Sequence, residues 1–151
     1  MKKLAAMLAL PIAVAACGRT PAEPVVTVES AVVTVPAIPG GSGAAYFTVT
    51  TNRDGSRLVA ITSPSIRSIE LHETQERDGG TRMMPLQPAD ATFDPSDPLR
   101  FAPGGKHAML IGMDPSLRPG GKVALTFNVE PAAPVTVEAE VRGPGLGHGG
   151  H

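Results

Sequence analysis

The 151-residue chain has no tryptophan, one tyrosine, one cysteine and four histidines. With Tyr46 the lone tyrosine and aromatics scarce, the core is expected to be aliphatic. The single cysteine, Cys17, rules out an intrachain disulfide even in an oxidising compartment, so packing alone must hold the fold. Basic residues are too few for a nucleic-acid surface: the formal charge is −1, and taking away Lys2 and Lys3 makes it −3. Long apolar runs are also absent, apart from Leu4 to Ala16 at the N-terminus. That run is too short to span a bilayer.

Behind Lys2 and Lys3, the run has the shape of a secretory signal. It ends in Val14-Ala15-Ala16-Cys17, which resembles the lipobox of bacterial lipoproteins. The expected division is a signal peptide at 1–16, cleaved before a lipidated Cys17, and a tether at 17–24. Acyl chains on Cys17 would hold the protein to a membrane face without crossing it. Gly18, in place of the aspartate associated with inner-membrane retention, favours the periplasmic face of the outer membrane. At the other end, residues 143–151 are glycine-rich, without apolar period, and read as a flexible tail carrying His148 and His151.

Between these ends, 25–142 reads as one all-β domain. Val25 to Val35 is rich in β-branched residues. Strands are expected at Ala44–Thr51, Arg57–Thr62, Ser68–Thr74, Thr81–Leu86, Leu99–Ala102, Lys106–Met113, Lys122–Val129 and Val135–Val141. Asn52-Arg53-Asp54-Gly55 and Asp78-Gly79-Gly80 are the hairpin signals. Val123, Leu125, Phe127 and Val129 alternate with mostly polar residues, as do Val135, Val137, Ala139 and Val141. Such a period of two marks strands with one buried and one solvated face. Short strands punctuated by 16 prolines and 17 glycines describe a Greek-key β-sandwich or small barrel.

Two of the four histidines lie near methionines: His72, Met83, and then His107 and Met109 as an H-x-M. Residues two apart on a strand share a face, so His107 and Met109 point the same way. Ile69 and Leu71 take the apolar side of their strand, which turns His72 outward with Glu70 and Thr74 and leaves the imidazole exposed. The Asp78-Gly79-Gly80 turn would fold Met83 back toward His72. Imidazole and soft, uncharged thioether together favour Cu(I) over zinc, iron, magnesium or calcium. The plainer reading of each residue is core methionine or surface histidine. Glu73 beside His72 is a weaker candidate for tuning the imidazole, and Met113 for an accessory ligand.

Residues 28 to 129 resemble the periplasmic copper chaperones of the PCuAC domain family. The matching stretches are Gly43-Ala44-Ala45-Tyr46-Phe47-Thr48-Val49, Glu70-Leu71-His72-Glu73, Arg82-Met83-Met84-Pro85 and Pro103 to Leu110. The family pattern is histidine, ten residues, methionine, about twenty-one residues, then H-x-M; here the gaps are ten and twenty-three. The excess is assigned to an insertion in the loop Gln87 to Pro98. Met84 would shorten the second gap but break the first, so Met83 is preferred.

The resemblance implies a cupredoxin-like fold with Cu(I) held near the surface by His72, Met83, His107 and Met109. It also implies delivery of copper to cytochrome c oxidase, particularly the dinuclear site of subunit II, alongside Sco-type proteins. His148 and His151 form a candidate secondary site suited to Cu(II), since imidazole and backbone nitrogens favour that ion.

Blue-copper electron transfer fails for want of a thiolate, because Cys17 lies far from the motif. A copper enzyme is disfavoured because the four ligands fill the site and no acid or base pairs with it. A sequestering or resistance protein would use the same four ligands. A purely structural sandwich would bind no copper tightly.

Overall fold

The computed structural model describes residues 23–144. The expected signal segment, Cys17 with most of its tether, and the tail with His148 and His151 lie outside the described residues. Ten strands follow in order: β1 (Val26–Thr34), β2 (Gly43–Thr51), β3 (Ser56–Thr62), β4 (Ile66–Arg77), β5 (Gly80–Pro85), β6 (Thr92–Phe93), β7 (Leu99–Phe101), β8 (Lys106–Met113), β9 (Lys122–Glu130) and β10 (Val135–Arg142). A single 3-10 turn, Pro88–Ala91, is the one helical element among the described residues.

The strands form one continuous ladder in the order β5-β4-β8-β2-β1-β10-β9-β3-β6, with β7 also on β2. Strand β1 joins the halves: it pairs antiparallel with β2 along its length and parallel with β10 from Val32 to Thr34. One extra residue bulges from β1 between Glu29 and Val32, where Ser30 takes φ 54°. Such a bulge bends a strand and increases its twist, as a bridging strand needs. The ladder folds back on itself into a cupredoxin-like sandwich. Phe47 on β2 stacks on Phe101 with ring centroids 4.4 Å apart and meets Phe127 of β9 edge-on at 4.8 Å.

Period two is realised on the core strands. Ala45, Phe47 and Val49 of β2, Ala108 and Leu110 of β8, and Val123 to Val129 of β9 alternate buried with less buried residues. Leu110, Leu125 and Phe127 are completely enclosed. Each such side chain contributes about 1.5–3 kcal/mol relative to remaining exposed. The buried hydrophobic residues are aliphatic, as expected, apart from the phenylalanines. All four phenylalanines (Phe47, Phe93, Phe101 and Phe127) are buried, and three of them form the aromatic centre of the core.

The segment Gln87 to Pro98 is more than an inserted loop. After the 3-10 turn, Phe93 pairs with Ser56 on β3, and Ala91 and Phe93 are buried against the core. The acidic residues there serve turn geometry: the Asp94 carboxylate accepts from Ser96 N, Ser96 Oγ and Asp97 N. The β4–β5 hairpin closes through Asp78 (φ 50°) and Gly79 (φ 75°) between the paired Arg77 and Gly80. Two successive positive φ angles define the tight turn whose twist matches the flanking strands.

Candidate metal centre

The β4–β8 ladder places His72 directly opposite His107, and Glu70 opposite Met109. Cross-strand partners share a face of the sheet, and so do residues two apart on one strand. On the outer side of β4, strand β5 sets Met83 opposite Thr74, which is two residues from His72. On the other side of β8, Met109 lies opposite Ala44 of β2. One face of β5-β4-β8-β2 therefore carries His72, Met83, His107 and Met109 together, with Glu70 among them. The reverse face of β8 carries Ala108 and Leu110, which have no exposure at all. Burying them fixes which way the H-x-M points.

Met83 folds back less directly than the turn alone suggests, because its strand neighbour is Thr74 and Pro85 faces His72. Its side chain crosses β4, and Sδ reaches 3.2 Å from His107 Nε2. His107 Nδ1 lies 3.1 Å from the carbonyl of Gly105, which can only accept, so Nδ1 carries the proton. With Nδ1 as the donor, the lone pair of Nε2 faces a sulfur that also presents lone pairs. Two such lone pairs facing one another gain nothing without a Lewis acid between them. Met83, His107 and Met109 line one open cleft with Thr34 to Ala37, Ser42, Gly43 and Ala44. Pro144, the last described residue, lines it too.

His72 departs from its expected exposure. Its side chain is only 14% exposed, and Nε2 donates to Glu70 Oε2 at 3.1 Å. Nδ1 is buried without a hydrogen-bond partner. An unsatisfied buried group of this kind costs about 1–3 kcal/mol. Its lone pair suits a metal ion.

Glu73 does not serve the imidazole. It lies opposite Lys106, bonded to Lys106 Nζ at 3.2 Å and to Gln75 Nε2 at 3.1 Å. The hydrogen bond from Gln75, with that from Lys106 and its charge, holds the Glu73 carboxyl below its ordinary range. Met84 pairs with Glu73 and so faces away from Met83. Met113 packs partly buried against the core and lines a neighbouring groove. Tyr46 shares the face of Ala44 by alternation, and burial pushes its phenol up.

Among the described residues, no three His, Cys, Asp or Glu side chains gather as a metal site. The cluster exists only when thioether sulfurs are counted, and softness is what distinguishes them. The residue that reading from sequence passed over is Glu70. Its signal was the i, i+2 relation to His72 on a strand.

Fold and site together define a small β-sandwich with two imidazoles and two thioethers on one sheet face, where Met83, His107 and Met109 line the open cleft and His72 is largely covered beside them on β4. A family model described as "Putative lipoprotein LpqE-like" matches residues 26–141, and the chain belongs to that family. A relative from Leifsonia xyli subsp. xyli, "Putative lipoprotein Lxx21020", is 32% identical over 130 residues, spanning 81% of this chain and 75% of the relative. Among solved structures, the copper-bound PCuAC domain from PmoF2 is similar at TM-score 0.59 and 24% identity, over 79% of this chain and 93% of that one. Apo-DR1885 from Deinococcus radiodurans is similar at TM-score 0.58 and 25% identity, over 97% and 99% of the two chains. Its Cu(I) form gives TM-score 0.52 and 26% identity over 85% and 83%. The domain therefore has the PCuAC fold that the sequence resemblance implies.

Proposed function

We propose that this protein is an extracytoplasmic copper chaperone that carries Cu(I) on His72, Met83, His107 and Met109. The observation that carries the reading is the convergence of His107 Nε2 and Met83 Sδ, 3.2 Å apart, in the cleft that Met109 also lines. His72, opposite His107 on the same face, adds a buried Nδ1 that lacks a partner. The solved PCuAC domains with copper support the same reading. Neutral thioethers need no deprotonation to bind Cu(I), so an acceptor can exchange them stepwise. Met83 is suited to lead that exchange, being 60% exposed on an edge strand.

The relative's lipoprotein name and the Val14-Ala15-Ala16-Cys17 segment support anchoring through acyl chains on Cys17 at the periplasmic face of a membrane, with Gly18 pointing to the outer one. Strand β1 begins near Asn52, which bonds Val25 N and Glu23 O, whereas Met109 sits level with Ala44, toward the far end of β1. The tether therefore joins the domain away from Met109. The recipient follows from the family resemblance: assembly of cytochrome c oxidase at the dinuclear copper site of subunit II, with a Sco-type protein as partner. His148 and His151 would add a Cu(II)-suited pair on the C-terminal tail.

The test is a Cu(I) competition titration of the soluble chain Thr20–His151 against a chromogenic chelator under reducing conditions. It is run beside Met109→Ala and a chain ending at Arg142. One tight equivalent, lost in Met109→Ala and kept on truncation, is expected. No tight binding, or binding lost only with the tail, would sink the reading. In a deletion strain, loss of oxidase activity at low copper, restored by added copper, is the expected mark of delivery. Copper sensitivity with normal oxidase would mean sequestration instead.

A further inference from the structure

Glu70 stands two residues before His72 on β4 and directly opposite Met109. It shares the sheet face of the candidate ligands, and its carboxylate is already engaged. Oε2 accepts a hydrogen bond from His72 Nε2 at 3.1 Å. A carboxylate in that role can only accept, so Nε2 holds the proton and the ring's lone pair falls on Nδ1. That Nδ1 is the atom left buried with no partner. In His107 the assignment is reversed: Nδ1–H is tied to the Gly105 carbonyl and Nε2 is free, facing Met83 Sδ.

We propose that Glu70 is a positioning residue of the copper site. It fixes His72 in the tautomer that binds Cu(I) through Nδ1, while His107 binds through Nε2. Turning the His72 ring over would break the bond to Glu70 and point carbon where the metal needs nitrogen. The carboxylate thus preselects both tautomer and rotamer before copper arrives. A metal-bound imidazole whose other N–H is held by a carboxylate is also the stronger donor. Glu70 is suited to the task because the strand repeat delivers it to His72's face without a loop or a long reach. Its own side chain is half exposed, so water solvates the second oxygen. The inference rests on the Cu(I) reading above and adds the atom by which His72 binds and the residue that selects it.

The experiment is a long-range proton–nitrogen NMR correlation of both rings in 15N-labelled Thr20–His151, without copper and with one equivalent of Cu(I). His72 Nε2 is expected to stay protonated throughout while Nδ1 shifts on loading; in His107 the two nitrogens exchange roles. Glu70→Ala should keep its fold by circular dichroism, mix the His72 tautomers and weaken Cu(I) binding by roughly 10–100-fold. Glu70→Gln, whose amide oxygen still accepts from Nε2–H, should recover most of that loss. Cu(I) bound at His72 Nε2 would overturn the proposal. So would a Glu70→Ala protein with unchanged tautomer and affinity, or a Glu70→Gln no better than Glu70→Ala. Wild-type protein that takes up no Cu(I) would remove the chaperone reading as well, whereas loading through Nε2 removes only the role of Glu70.

Discussion

The imidazole rings of His72 and His107 lie 5.9 Å apart between centroids, inclined at 66°, across the ladder that joins β4 to β8. They are not stacked, and each has its own hydrogen-bond acceptor, Glu70 for one and Gly105 for the other. Apo protein keeps this arrangement at a cost, since His72 Nδ1 is buried and unpaired. Removing the imidazole removes that unpaired atom, and the Glu70 carboxylate it releases is half exposed and can be solvated. His72→Leu should therefore raise the stability of the copper-free protein, by about 1 kcal/mol. The same change should weaken Cu(I) binding more than about tenfold, a loss above about 1.4 kcal/mol. Urea unfolding and chelator competition on one preparation check the two opposite signs. A destabilised His72→Leu would show that Nδ1 is satisfied in solution.

Met83 and Met84 are neighbours in sequence and opposites in space. Met83 pairs with Thr74 on the face of His72, and Met84 pairs with Glu73 on the other. Both are solvent-exposed, so either alanine should change stability by no more than about 0.5 kcal/mol. Their effects on copper should separate. Met83→Ala is expected to weaken Cu(I) binding more than about tenfold, and Met84→Ala to leave it nearly unchanged. The same chelator competition decides it. Equal losses would mean that β5 slips by one residue when it meets copper, since a one-residue slip exchanges its faces.

Much of this is legible in the sequence because a strand's period of two is a local property. Val123 to Val129 and His107 to Met109 declare their faces from spacing alone, and β8 runs over the expected Lys106–Met113. Pairings between distant strands were not legible. Nothing near Phe47 in sequence announces that it meets Phe101 and Phe127, so the aromatic contacts at the centre of the core are not legible there. Proline and aspartate mark turns in Gln87 to Pro98, but they do not reveal that Phe93 is anchored beside Ser56. At the site, the adjacent Glu73 drew attention as a partner for His72 when alternation favours Glu70. Met83 depended on reach across β4, which a register diagram alone does not provide.

The ion pair next to the site gives a pH signature. Glu73 bonds Gln75 and Lys106, and these bonds hold its carboxyl below the ordinary value of 4.5. A carboxyl lowered on folding adds stability above its unfolded pKa and loses it as pH falls through the lower folded value. Both side chains of the pair are about a quarter exposed, so water screens the attraction. Its worth falls in the surface range of about 0.2–1 kcal/mol. Glu73→Gln should therefore lower the urea midpoint slightly at neutral pH. The gap from wild type should narrow below pH 4.5 and close once the native carboxyl is protonated. A gap independent of pH would mean that the effect comes from packing.

Gly43 ties the stability of the fold to the edge of the cleft. It opens β2 opposite Leu110 and lines the cleft with Met109 and His107. A Cβ there would overlap the backbone oxygen of Thr34 and sit 2.5 Å from Met113 Sδ. The thioether can swing away. The carbonyl cannot, because Thr34 belongs to β1, where it pairs with both Ala44 and Arg142. Gly43→Ala must therefore push β1 and β2 apart at the strand that joins the halves of the sandwich. The expected cost is about 1–3 kcal/mol, seen as a lower urea midpoint with unchanged slope. Shortening Met113 removes only the clash that could relax by itself, so Met113→Ala should not rescue Gly43→Ala. Recovery in the double variant would show that the sulfur, and not the ladder, forbids a side chain at this position.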